Sequence, residues 1–164
     1  MVRDSLVAPF PQNDNRIIIL ILFMIWPAIS FSQSITIVNY KNLDFGSVFL
    51  GYTSDVAHTD PGAAKYSVSE SVGKKNVLYT FTLPANLNNG TYNIPVTYNS
   101  AHTAWSMTDL PTGRTNFNPN TSLQINKVNK GDVVYIWLGG ILIVPTNVGP
   151  GLYQNTITLS VTIL

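Results

Sequence analysis

His58 and His102 are the only histidines in the sequence, so any imidazole chemistry must start from them. They stand in polar stretches, "DVAHTD" and "NSAHTA", and neither has a second histidine at ligand spacing. A metal site would need the fold to bring the two together. Without that, they read as surface histidines. Asp55, His58 and Asp60 resemble a loop that offers oxygen ligands to calcium. Only two carboxylates lie close there, so the segment reads as a solvated loop. Beyond residue 32 the carboxylates are Asp44, Asp55, Asp60, Glu70, Asp109 and Asp132. A glycosidase pair could come from any two only through their placement in space. Most lie in or beside turn sequences, where aspartate caps backbone amides. Serines are plentiful, but no Gly-x-Ser-x-Gly elbow is present. There is no cysteine, which rules out disulfides, thiolate metal sites and cysteine nucleophiles. No catalytic, cofactor-binding or metal-binding residue is assigned, and the chain is expected to be non-enzymatic.

Two tryptophans raise carbohydrate stacking. Trp137 lies inside an apolar run and reads as core or girdle. Trp105 lies in the irregular stretch 99–121 and is the candidate for an exposed glycan contact, although a half-buried position suits it too.

Such residues need a scaffold, and composition narrows its type. The chain has 164 residues, 10% charged residues and a formal net charge of +1. That length suits one domain. The sparse charge argues against a nucleic-acid surface, which needs concentrated basic residues. A hydrophobic content of 45% argues against disorder.

Residues 17–26, "IIILILFMIW", are too few to span a bilayer, which takes about 20 residues. They suit the apolar region of a secretory signal peptide. Ser30 and Ser32 precede Gln33 at the spacing of a cleavage site. The expected organisation is a signal peptide over 1–32 and a folded domain over 33–164. Retention of the segment as an anchor is the alternative. Export places the protein in a periplasm, on an outer cell surface or outside the cell, with a bacterial envelope as the expected home.

After residue 32 the pattern has period two, broken by turns. Strands are expected at 34–38, 45–50, 64–69, 77–84, 91–98, 122–128 and 133–145, with a short one near Trp105. The 77–84 and 91–98 runs read as a hairpin across "NNG" (88–90). Pro95 marks an edge or a bulge, and the pair Gly139–Gly140 a bulge or sharp bend. The chain closes on "GPGLYQNTITLSVTIL" (149–164), with Tyr153, Ile157, Leu159, Val161 and Ile163 on one face and hydroxyls on the other. The expected fold is an all-β, Ig-like antiparallel β-sandwich of about eight or nine short strands.

Four stretches in order resemble domain-of-unknown-function family 4402: "LDFGSV" (43–48), "DPGAAKYSVSESV" (60–72), "WLGGILIVP" (137–145) and "GPGLYQNTITLSVTIL" (149–164). Members are exported bacterial proteins related in fold to fimbrial and spore-coat-U-like subunits. The resemblance spans nearly all of 34–164, although this chain is richer in Asn, Tyr and Ile than the family. It implies an exported sandwich, with a structural or adhesion-type role at the cell surface. Related fimbrial subunits leave a groove beside their last strand, filled by a strand from the next subunit. Tyr153, Ile157, Leu159, Val161, Ile163 and Trp105 are therefore the candidate interaction residues. The partners so implied are other surface subunits, by strand addition, or a glycan. A soluble binding module is the alternative function. "SITIV" (34–38) can complete the sandwich or serve as a donor, and a closed, self-complete sandwich stays open as well.

Overall fold

The structure, a computed structural model, describes residues 34–71 and 73–164. The expected signal peptide over 1–32 lies outside the described residues. Those described are all-β, with no helix and none long and apolar enough to cross a membrane.

Twelve strands form three antiparallel sheets. The first sheet has five strands, in the order β1 (Ile35–Lys41), β3 (Ala64–Glu70), β10 (Val133–Leu138), β7 (Thr103–Ser106) and β8 (Thr115–Asn116). The second has four: β2 (Thr53–Val56), β11 (Gly140–Ile143), β6 (Asn93–Thr97) and β5 (Asn86–Asn88). The third has three: β12 (Thr158–Ile163), β4 (Lys75–Thr82) and β9 (Leu123–Val128). The period-two pattern produces this arrangement, because alternate residues of each strand point to opposite faces. Ala64, Tyr66 and Val68 of β3 and Val134, Ile136 and Leu138 of β10 turn one way. They meet Val77, Tyr79 and Phe81 of β4, Ile125 and Val128 of β9, and Ile94, Val96 and Leu142 of the four-stranded sheet in one buried cluster. The Tyr66 and Phe81 rings meet edge to face, 5.9 Å apart, a favoured aromatic geometry. The molecule is therefore a β-sandwich, as the sequence predicts.

The strand count exceeds the expected eight or nine because one long run divides and two short strands, β5 and β8, form where none is expected. The apolar run 133–145 splits at Gly139 into β10 and β11, which belong to different sheets. A side chain at Gly139 would collide with the Val56 carbonyl, so the expected bend is a crossing from one layer to the other. The expected strand 77–84 forms as β4, and a separate strand, β5, follows Pro84. This changes the expected hairpin: β6 pairs with β5, not with β4. Asn89 Oδ1 accepts from the amides of Thr91 and Tyr92 at 3.0 and 2.8 Å and closes that turn. Pro95 lies where β6 has run past its ladder with β11, which pairs only Val96 and Thr97. Its missing N–H therefore breaks no bond on that side.

One expected strand does not form. Residues 45–50 are turns and irregular backbone, and β2 starts later, at Thr53. Asp44 Oδ1 accepts from the Gly46 amide at 2.8 Å, and Gly46 has φ +65°. The side-chain turn and the left-handed glycine bend the chain where period two alone reads strand.

Candidate functional site

The residue path 154–163 determines the site. From Ile163↔Val77 to Thr158↔Thr82 it runs antiparallel along β4. It pairs again at Gln154↔Asn88, beside β5. One side of this path is thus paired at 158–163 and again at Gln154, with 155–157 outside the ladder. Among the described residues, β12 has β4 as its single ladder neighbour and ends its sheet.

β1, the candidate cover from within the chain, lies elsewhere. It pairs with β3 at the edge of the five-stranded sheet. Its register places Ile35 and Ile37 beside Glu70 and Val68, on the core-facing side. Ile37 is nevertheless 43% exposed there. Across the sandwich Tyr153, Ile157, Leu159, Val161 and Ile163 are half-buried, although their β4 partners Tyr79 and Val77 are 1% exposed. At each of these two edges the core-facing side chains are thus incompletely covered.

Upstream of β12 lies a cleft. One wall is the segment 39–50 and the other is 148–157. Two cavities of about 560 and 520 Å³ share Leu43, Phe45, Leu87, Leu152 and Tyr153 and run on from each other. The floor of the first reaches core residues Ile94 and Leu142, and its rim carries Phe49, Leu50 and Leu152, each more than half exposed. The second is lined in part by Tyr66, Tyr98 and Ile157. Tyr98 is buried, and its hydroxyl has no hydrogen-bond partner among the described residues. Burial pushes its pKa up to about 12, with Tyr66 adding to the rise.

The positions singled out for chemistry are engaged structurally. Asp44, Asp60 and Asp132 cap turns at 2.8 Å through the amides of Gly46, Ala57 and Asn129. Buried Glu70 accepts from the Gly73 amide. His102 lies next to Asp55, its Nε2 2.6 Å from Oδ1. Its Nδ1 lies 2.7 Å from Asn99 Oδ1, which also accepts from the Ala101 amide at 2.9 Å. Both ring nitrogens therefore lie against side-chain oxygens of neighbouring residues. His102 is buried, so it is not the surface histidine expected. Burial lowers the pKa of His58, and the nearby Arg114 charge lowers it further. Among the described residues no three His, Asp or Glu side chains converge on a metal position.

Trp105 pairs with Ile136 and shares its core-facing side, half-buried. Trp137 is buried on the outer face of β10, under the Arg114 guanidinium at 3.7 Å from the ring centre. Sequence reading missed Tyr98, Tyr40, Lys65 and Tyr135. Only their phase within the strands could have revealed them: Lys65 and Tyr135 fall on the outward register of β3 and β10.

No family model matches the sequence, and no curated protein matches it.

Proposed function

We propose that this protein is a non-enzymatic, exported structural or adhesion-type subunit of a bacterial surface, associating with other subunits by strand addition. The observation that carries the reading is the one-sided pairing of 154–163 above an incompletely covered core. An extended segment from another chain would add main-chain hydrogen bonds along the open edge, and its alternate side chains would enter the cleft. Left bare, such an edge invites aggregation. The location of β1 supports this, because the nearest segment of the same chain is committed to the other sheet. The ordered resemblance to family 4402 points the same way.

The test is a charge placed on the edge. Ser160 is exposed on β12, and Ser160→Lys is the substitution with which sheet edges are blunted. The variant should fold with an unchanged melting temperature and lose higher-mass species from cell-surface extracts. Assembly unaffected by it would count against the proposal.

A further inference from the structure

Among the described residues the three sheets have six end strands, and four of them are blunted. β8 is two residues long and β5 three. β2 has four residues and carries Asp55. β9 carries the exposed Lys127 at φ +59°, and its ladder with β4 shifts register. Short strands, charges and bulges are the devices that keep a sheet edge from pairing with another. The two remaining ends lack them over most of their length. β12, "TLSVTI", has six residues, no charge, no proline and no shift in its ladder. β1 pairs with β3 in regular register over Ile35–Asn39, "ITIVN", and its register shift and its one charge, Lys41, come only after Asn39. β1 is also held at its far end. Lys65 Nζ lies 5.2 Å from the Tyr40 ring centre and 5.6 Å from that of Tyr135, and pairs with Asp109 at 2.7 Å. A strand fixed in this way has less freedom to lose on pairing.

We propose that the strand added to β12 is β1 of a second copy, so that the three-stranded sheet of one subunit runs on into the five-stranded sheet of the next. The inference rests on the association proposed above and names its partner. The two edges are alike in length, and both are uncharged where they would meet. Each also has core-facing apolar residues that its own subunit leaves incompletely covered: Ile35 and Ile37 on β1, and Leu159, Val161 and Ile163 on β12. In a shared ladder the two backbones would bond to each other, and these residues would fall on one side and cover one another. The edges belong to different strands, so the contact is heterologous. Each subunit gives β1 to one neighbour and β12 to another. A charge at either edge should therefore stop assembly while the other edge stays able to pair.

The test mixes two blocked variants of the protein prepared from cells, Val38→Lys on β1 and Ser160→Lys on β12, and reads mass by light scattering. Both positions are exposed on the side turned away from the core, Val38 at 40%. Thr36→Lys, at an exposed position on the same side of β1, replaces Val38→Lys if melting curves show that the latter fails to fold. The parent should give species heavier than one subunit, and each variant alone only monomer. An equal mixture should give a species of twice the subunit mass and nothing larger, because one free β1 meets one free β12. Assembly that survives the β1 substitutions but is lost in Ser160→Lys would overturn this inference and leave strand addition by a different segment. A mixture that stays monomeric would overturn it too, as expected if like edges pair with like. A monomeric parent would overturn both the inference and the association on which it rests.

Discussion

Asn88 and Gln154 exchange two backbone hydrogen bonds, 3.1 Å from the Asn88 amide and 3.0 Å from the Gln154 amide. This single bridge extends the pairing of the last strand past the break at Pro84. It fixes residues 148–157 as one wall of the cleft, facing 39–50. Without it the final segment would have no backbone tie to β5. Asn155 adds to the tie, donating from its side chain to the Asn86 carbonyl at 2.8 Å.

The last strand is expected to be required for folding even though it stands at an edge. Leu159, Val161 and Ile163 lie beside Phe81, Tyr79 and Val77 on the neighbouring strand. Deleting Ser160–Leu164 uncovers Tyr79 and Val77, both otherwise 1% exposed. Denaturant unfolding of the truncated chain should lose its cooperative transition. A transition unchanged in midpoint and slope would show that the strand is dispensable.

The crossing at Gly139 predicts a backbone-limited position. Gly139→Ala places a methyl group against the Val56 carbonyl, which β2 holds in its ladder with β11. The carbonyl is backbone and cannot swing aside as a side chain would. Overpacking of this kind costs about 1–3 kcal/mol, and equilibrium unfolding should show a loss in that range. A neutral result would mean that the two layers can shift apart freely.

Core-facing positions should differ in cost according to how far they are covered. Ile136 is fully buried, whereas Ile37, also core-facing, is 43% exposed. Ile136→Ala should cost about 2–5 kcal/mol. Ile37→Ala should cost under about 1 kcal/mol in the isolated subunit. The cost at Ile37 should rise in assembled material if a partner strand covers that side. Equal costs in the isolated subunit would contradict the uncovered edge.

Acid should weaken the fold through His58. Burial and Arg114 lower its pKa in the folded state, whereas the unfolded chain keeps the ordinary value near 6.5. The unfolded state therefore binds the proton more readily. Stability from this group is present above the unfolded value and is lost as pH falls from about 6.5 through the lowered folded value. Melting temperature measured from pH 7.5 to 4.5 should fall less steeply over that window in His58→Gln than in the parent. Identical slopes would show that His58 does not contribute. Asp60 and His102 act weakly on the same ring and remain in both proteins, so the comparison isolates it.

Much of this architecture is legible in the strands themselves. Alternation of Tyr79, Phe81 and Val77 with exposed residues, or of Leu159 and Val161 with threonines, specifies a face without reference to any other strand. The role of Asp44 in a turn was readable from its place before Phe45–Gly46. Long-range order was not. Whether the run 91–98 folds back on 77–84 or on 86–88 turns on β5, three residues after Pro84 that are too few to show a period of two. The run 45–50 satisfies period two, yet Gly46 and the Asp44 side chain win locally. The candidate site splits in the same way. The terminal strand could be named in advance, although it forms only over Thr158–Ile163, so Tyr153 and Ile157 stand in the irregular segment ahead of it. The cleft, the unpartnered Tyr98 hydroxyl and the Tyr40–Lys65–Tyr135 face arise from segments far apart in sequence, as does the Asp55–His102 pair.

The central claim is that another chain completes the open edge of β12. Native protein taken from cells should be examined by electron microscopy, with mass analysis of the same material before and after dissociation. The account predicts filaments or ladders of regular mass increments, reduced to monomer by Ser160→Lys. A strictly monomeric native protein, in the parent as in the variant, would contradict it.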